Sequence, residues 1–212
     1  MLNIVKETLE ENFDLESQSI SHGTTPLILA VKENRYEILN MLLQNGANVD
    51  SKDSECQTAL MHAAMIGCRK SLKILIENNA DVSLTDKEGK TALMHAAIGL
   101  HFGVVEELLT KNSDNINVQD NEGNTALQYV AHNQIRSTNH FRIETARVLL
   151  KHGADTSLSF RDSPIFRIGA CNLETLLEEV RLSHITETPQ TTTNSQAEQI
   201  TDSSKSKQCI IS

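Results

Sequence analysis

The sequence predicts an all-α solenoid: short helix-turn-helix units joined by β-turn loops, followed by a disordered C-terminal tail. Three observations carry this. The heptapeptide Thr58-Ala59-Leu60-Met61-His62-Ala63-Ala64 recurs letter for letter at Thr91 to Ala97, 33 residues on, with looser copies from Thr25 and Thr125. A second segment recurs in phase with it: Leu42-Leu43-Gln44-Asn45-Gly46-Ala47 answers Leu75-Ile76-Glu77-Asn78-Asn79-Ala80 and Leu149-Leu150-Lys151-His152-Gly153-Ala154. The turn Asp86-Lys87-Glu88-Gly89-Lys90 matches Asp120-Asn121-Glu122-Gly123-Asn124. A fixed period in this range marks stacked units, none of which buries its apolar face alone.

A 33-residue period carrying segments like Thr25-Pro26-Leu27 and Thr58-Ala59-Leu60 resembles ankyrin repeats, and the likeness covers roughly residues 1–182. It implies a protein-binding role through a concave groove lined by one helix of each unit and by the turn tips. By that resemblance the tip contacts are Glu55, Gln57, Lys87, Glu88, Lys90, Asn121, Glu122 and Asn124. In the helix opening at Thr58, Leu60, Ala63, Ala64 and Gly67 recur three and four apart, as a buried stripe does. His62, Met65 and Ile66 then share another face, with His95 and Ile98, then Tyr129 and His132, at matching places; these are the expected groove contacts. The family often has His where this chain has Met61 and Met94. His62 and His95, one place later, therefore have a second reading as scaffold.

In chain order, Ile4, Val5, Leu9 and Phe13 stand at helical spacing, so residues 1–24 read as an N-terminal half-repeat cap with a charged outer side. Repeats begin near residues 25, 58, 91, 125 and 163. Thr25 before Pro26 is a helix start: the hydroxyl caps an early amide, and Pro at the first position has no N–H to leave unbonded. Helices are expected over about Pro26–Glu33 and Tyr36–Gln44, closed by Gly46 in the left-handed conformation. Gly89 and Gly123 predict positive φ two residues before the motif Thr, and Cys56 fills that slot before repeat two. Gly67 separates the helices of repeat two. In repeat three Gly99 and Gly103 are displaced from its register, which predicts an irregular inner loop.

Repeat four holds seven extra residues between Thr125 and Leu149, placed within 133–141 as a polar loop. The fifth copy is a degenerate cap opening at Ser163-Pro164, with Leu173, Leu176, Leu177 and Val180 on its last helix, ending near residue 182. Residues 183–208 are rich in Ser, Thr and Gln and carry Ile185, Ala197 and Ile200 as their only apolar side chains. They predict a disordered linker of roughly 30 Å.

The final four residues, Cys209-Ile210-Ile211-Ser212, resemble a C-a-a-X prenylation box whose terminal Ser favours farnesyl. That makes Cys209 the expected lipidation site, with a prenyltransferase and then a membrane as partners. One lipid chain binds membranes marginally, and Lys205 and Lys207 are a thin second signal. Ankyrin proteins ending this way also resemble effectors that intracellular bacteria place in host cells. That resemblance sets the expected location at the cytosolic face of host membranes; otherwise the protein is expected in the cytoplasm. No L-P-x-E-like segment precedes Thr25 to suggest ligase recruitment.

Composition narrows the rest. The chain is 39% hydrophobic and only 3% aromatic, without Trp, so its core is aliphatic. A net charge of −9 argues against general nucleic-acid binding. Met1 to Glu16 holds no long apolar run of the secretory kind, and nothing approaches the roughly 18 apolar residues of a membrane span. Cys56, Cys68, Cys171 and Cys209 show no C-x-x-C spacing, which predicts reduced thiols and no zinc site. No nucleophile elbow, phosphate loop or H-E-x-x-H segment occurs, so neither catalysis nor a cofactor is expected. The sequence therefore points to a monomeric interaction module, lipid-tethered. The alternative is a soluble scaffold or inhibitor regulating a partner enzyme, its tail unmodified.

Overall fold

The computed structural model describes residues 14–18, 22–133, 139–156 and 173–187. Among them are nine α-helices: α1 Pro26–Lys32, α2 Tyr36–Gln44, α3 Ala59–Met65, α4 Arg69–Glu77, α5 Ala92–Ile98, α6 Phe102–Lys111, α7 Ala126–His132, α8 Asn139–Lys151 and α9 Leu173–Glu187. The odd-numbered helices α1, α3, α5 and α7 pack side by side as an inner row. The even-numbered helices α2, α4, α6 and α8 form an outer row against them.

Each inner helix starts where the motif Thr predicts. Thr25, Thr58, Thr91 and Thr125 have extended backbones, and each hydroxyl accepts from the amide three residues on. At Thr125 the Gln128 side chain returns the bond to the Thr125 amide, completing a capping box that Met61 and Met94 cannot make. Inner helices are short and almost fully enclosed. In α3, six of seven residues are buried, against one stripe expected from spacing. The reason is geometric: α3 and α5 each have an inner neighbour on both sides and an outer helix behind, so only the last residue reaches solvent, whereas in α1, which packs on α3 alone among the described inner helices, Leu29 is exposed.

Outer helices close in the left-handed region, at Gly46 (φ +90°), Asn79 (φ +62°) and Gly153 (φ +92°). At each site the following Ala amide bonds back to a carbonyl five residues earlier, at 3.0–3.1 Å. Repeat three has one more residue here, and Asp114–Asn117 takes it up as a 3-10 turn.

Three expectations need correction. The inner loop of repeat three is regular: Leu100, in the Gly67 register, adopts φ +56° and makes the same bonds, while Gly99 is right-handed. The glycine was displaced but the geometry was not, because the carbonyls ending α5 must be satisfied in the same way. The insertion in repeat four is partly helix, since α8 begins at Asn139 and includes Phe141. The last helix runs on to Glu187, past the Ser183 boundary expected for the linker. Leu176 and Val180 of α9 are buried as expected, and the buried Arg142 of α8 pairs with Glu179. The half-repeat at Ile4 to Phe13, the opening of the fifth repeat and the Cys209 box lie outside the described residues.

Candidate partner-binding surface

Between successive units the chain makes finger-like turns, whose sides pair at Lys52 with Thr58 and at Thr85 with Thr91. One aspartate builds each finger. Asp86 Oδ1 accepts from the Glu88 amide at 3.0 Å and the Lys90 amide at 2.9 Å. Its Oδ2 accepts from His95 Nε2 at 2.8 Å. Asp53 does the same with the Glu55 and Gln57 amides and, at 2.9 Å, with His62. Asp120 bonds the Glu122 and Asn124 amides, and Tyr129 donates its hydroxyl to the second oxygen. A single carboxylate thus holds the turn closed and fastens it to the helix nine residues later.

Protonation follows from that geometry. Burial alone would raise the Asp86 carboxyl, but the Lys90 and Glu88 amides and His95 outweigh it and hold it below the usual carboxylate range. The same balance, with His62 foremost among the bonds, lowers Asp53. Burial depresses the His62 imidazole, with the charge of Lys32 adding to the effect and the Asp53 bond only partly opposing it. The Tyr129 phenol is pushed up, first by burial and then by Asp120.

These contacts sort the expected site residues. His62 and His95 are only 6% and 7% exposed and are engaged by aspartates, so their observed role is scaffold. Tyr129, half-buried, fills the same role with a hydroxyl. Asn124 is buried and bonded to Asp120 and Glu122, while Gln57 is half-buried on the finger side. Glu55, Lys87, Glu88, Asn121 and Glu122 are exposed at the tips, and Lys90 is half-buried. Met65 and Ile98 end consecutive inner helices at one register, 39% and 38% exposed, with the half-buried His132 following. Ile66 caps α3 and faces the loop between α3 and α4.

The tips are tied to one another. The Lys87 amide bonds Glu55 O at 3.1 Å, and the Asn121 amide bonds Glu88 O at 3.0 Å. Lys87 Nζ lies 3.5 Å from Glu55, Lys90 pairs with Glu88, and Lys90 Nζ sits 5.7 Å above the Tyr129 ring. Adjacent fingers therefore present one connected set of groups. Exposed pairs of this kind stabilise little, about 0.2–1 kcal/mol each, so their groups remain available to a partner.

Sequence reasoning passed over three contributors. The aspartates could have been found, since each stands nine residues before a repeating His or Tyr. Leu29 occupies the His62 register in α1 and is 53% exposed. His101 was the third. Its Nε2 bonds Met65 O at 3.1 Å, and its ring fills the space where Gly67 and Gly99 lack side chains.

A family model described as ankyrin repeats (three copies) matches residues 1–86 and 60–159. No curated protein matches the chain. Those matches span most of the 212 residues and agree with the observed stack of helix pairs and fingers, so the chain belongs to the ankyrin-repeat family, whose repeats indicate a protein–protein interaction module.

Proposed function

We propose that the surface formed by the finger tips and the exposed ends of the inner helices grips one protein partner, and that a lipidated tail holds the pair at a membrane. The observation supporting the first part is the register of Met65 and Ile98. Two large apolar side chains face solvent on the adjacent inner helices α3 and α5, whose other residues are buried. The tips add alternating charge from Glu55, Lys87, Glu88 and Glu122, with Asn121 as an uncharged hydrogen-bonding group. Apolar anchors beside a polar rim are what a selective interface needs. Shape and charge choose the partner. In α1 the exposed Lys32 takes the place of Met65 and Ile98, and Leu29, in the His62 register, adds an exposed apolar side chain about one turn earlier.

The second part rests on sequence: Cys209-Ile210-Ile211-Ser212 at the chain end, after a polar tether. A farnesyl group there, added by a prenyltransferase, places the module on the cytosolic face of a membrane. In a bacterial effector that membrane is the host's.

Proximity labelling in a prenylating eukaryotic cell tests both parts. A Met65→Asp/Ile98→Asp variant with unchanged circular dichroism should lose the specifically labelled partner and keep its membrane fraction. Cys209→Ser should keep the partner and leave that fraction. An identical partner set for the Met65/Ile98 variant sinks the groove reading. Equal detergent partitioning of wild type and Cys209→Ser sinks the tether.

A further inference from the structure

The edge of the repeat body opposite the fingers carries a different chemistry. There the chain exposes Ile66, at the end of α3, to 44%, and Phe102 and Phe141, in the first turns of α6 and α8, to 36% and 48%. The two Phe rings stack with centroids 6.3 Å apart, bridging repeats three and four. Beside them Lys32, Arg35, Arg69 and Lys70 are exposed. Within residues 32–36, 65–70, 98–103 and 139–142 the only carboxylate is Glu33. The finger segments 48–57, 81–90 and 114–124 hold nine carboxylates against three lysines. Charge is thus segregated by edge, in a chain whose net charge is −9.

Part of the cationic charge is neutralised locally. Arg69 and Lys73 share one carboxylate, Glu107, at 3.2 and 3.5 Å, which leaves an excess positive charge there. Lys70 Nζ stands 4.2 Å from the Tyr36 ring centroid, which holds it over an aromatic face, and among the described residues no carboxylate pairs with it.

We propose that this loop edge docks directly on an anionic bilayer surface, independently of any lipid on the tail. Large apolar side chains flanked by Lys and Arg match the pattern that seats a protein at the headgroup boundary. The apolar groups come from three successive repeats, whose helices pack about 8–10 Å apart. They form a strip that a flat surface meets all at once. Nearer the loop edge Glu33 and Glu37 are exposed and Glu107 is paired with Arg69 and Lys73, while the nine finger carboxylates sit at the far ends of the helices. A helix of nine residues is about 14 Å long, beyond the roughly 8 Å screening length at physiological salt, so their repulsion is damped. The same segregation orients the molecule, with the loop edge against the bilayer and the acidic fingers turned away from it. It supplies the second membrane signal that a single lipid chain requires.

The test uses the full chain with Cys209→Ser, so that no lipid contributes. It is mixed with phosphatidylcholine vesicles and with vesicles containing about one-third phosphatidylserine, then sedimented. Each cation near such a surface is worth roughly a five-fold change in binding. The chain should favour the phosphatidylserine vesicles, and Arg69→Ala/Lys70→Ala should weaken that binding about 25-fold. Phe102→Ser/Phe141→Ser should weaken it with circular dichroism unchanged, and high salt should abolish it. Equal association with both vesicle types, or loop variants that bind like the parent, would overturn the proposal. Retention on polyglutamate beads without vesicle binding would also overturn it and point to an acidic protein instead. Neither outcome bears on whether Cys209 is prenylated.

Discussion

Asp86→Ala is the most exacting test of how the fingers are held. The side chain is 3% exposed and accepts three hydrogen bonds, from the Glu88 and Lys90 amides and from His95. A hydrogen bond to a charged group contributes about 1.5–3 kcal/mol when buried. The two turn amides regain water once the carboxylate is gone, so they belong at or below the low end. The buried His95 loses its partner outright. About 3 kcal/mol is the expected loss. For a chain of this size that lowers Tm by roughly 10 °C. Urea unfolding followed by circular dichroism reads the loss, and amide exchange at Glu88 and Lys90 locates it. Asp81→Ala is the matched control. It removes bonds to the Ser83 amide and hydroxyl from an exposed side chain and should cost well under about 1 kcal/mol. If Asp86→Ala also loses less than about 1 kcal/mol, with its turn amides still protected, the aspartate does not hold the finger to the helix.

Three further outcomes follow from the same geometry. Stability should fall with pH in two stages. The depressed His62 favours the unfolded state as pH drops below about 6.5, and the depressed Asp53 and Asp86 add a second loss below about 4; His62→Gln should flatten the first stage in urea titrations. Cys56→Gly should stabilise by about 0.5–1 kcal/mol, since Cys56 holds φ +59° where Gly89 and Gly123 hold +80° and +81°; a destabilised variant in thermal melts would show that the cysteine side chain matters more than the strain. Gly67→Ala should cost about 2–3 kcal/mol, because φ is +74° and a new Cβ would come within 2.5 Å of the His101 ring; Gly67→Ala/His101→Ala should recover part of that loss.

Repetition made most of the fold legible. A motif spaced at 33 residues locates each Thr cap, and the caps fix where the inner helices begin. Single-helix periodicity served less well, because it assumes one buried face, and α3 and α5 are enclosed almost all round. That is why His62 and His95 read as groove contacts while the structure fastens them to aspartates. Glycine was likewise an unreliable guide to the inner loops, where Asn34 and Leu100 take the positive φ that Gly67 takes.

By itself the sequence determined the period, the order of helices, the caps and the aliphatic core, because each of these is a local preference repeated in phase. Tertiary structure decided which polar groups face inward, how one carboxylate serves both turn and helix, and which side chains remain for a partner. Those depend on contacts that helical periodicity does not register: the carboxylate reaches a side chain nine residues along the chain, and an inner helix is enclosed both by its own outer helix and by the adjoining repeats.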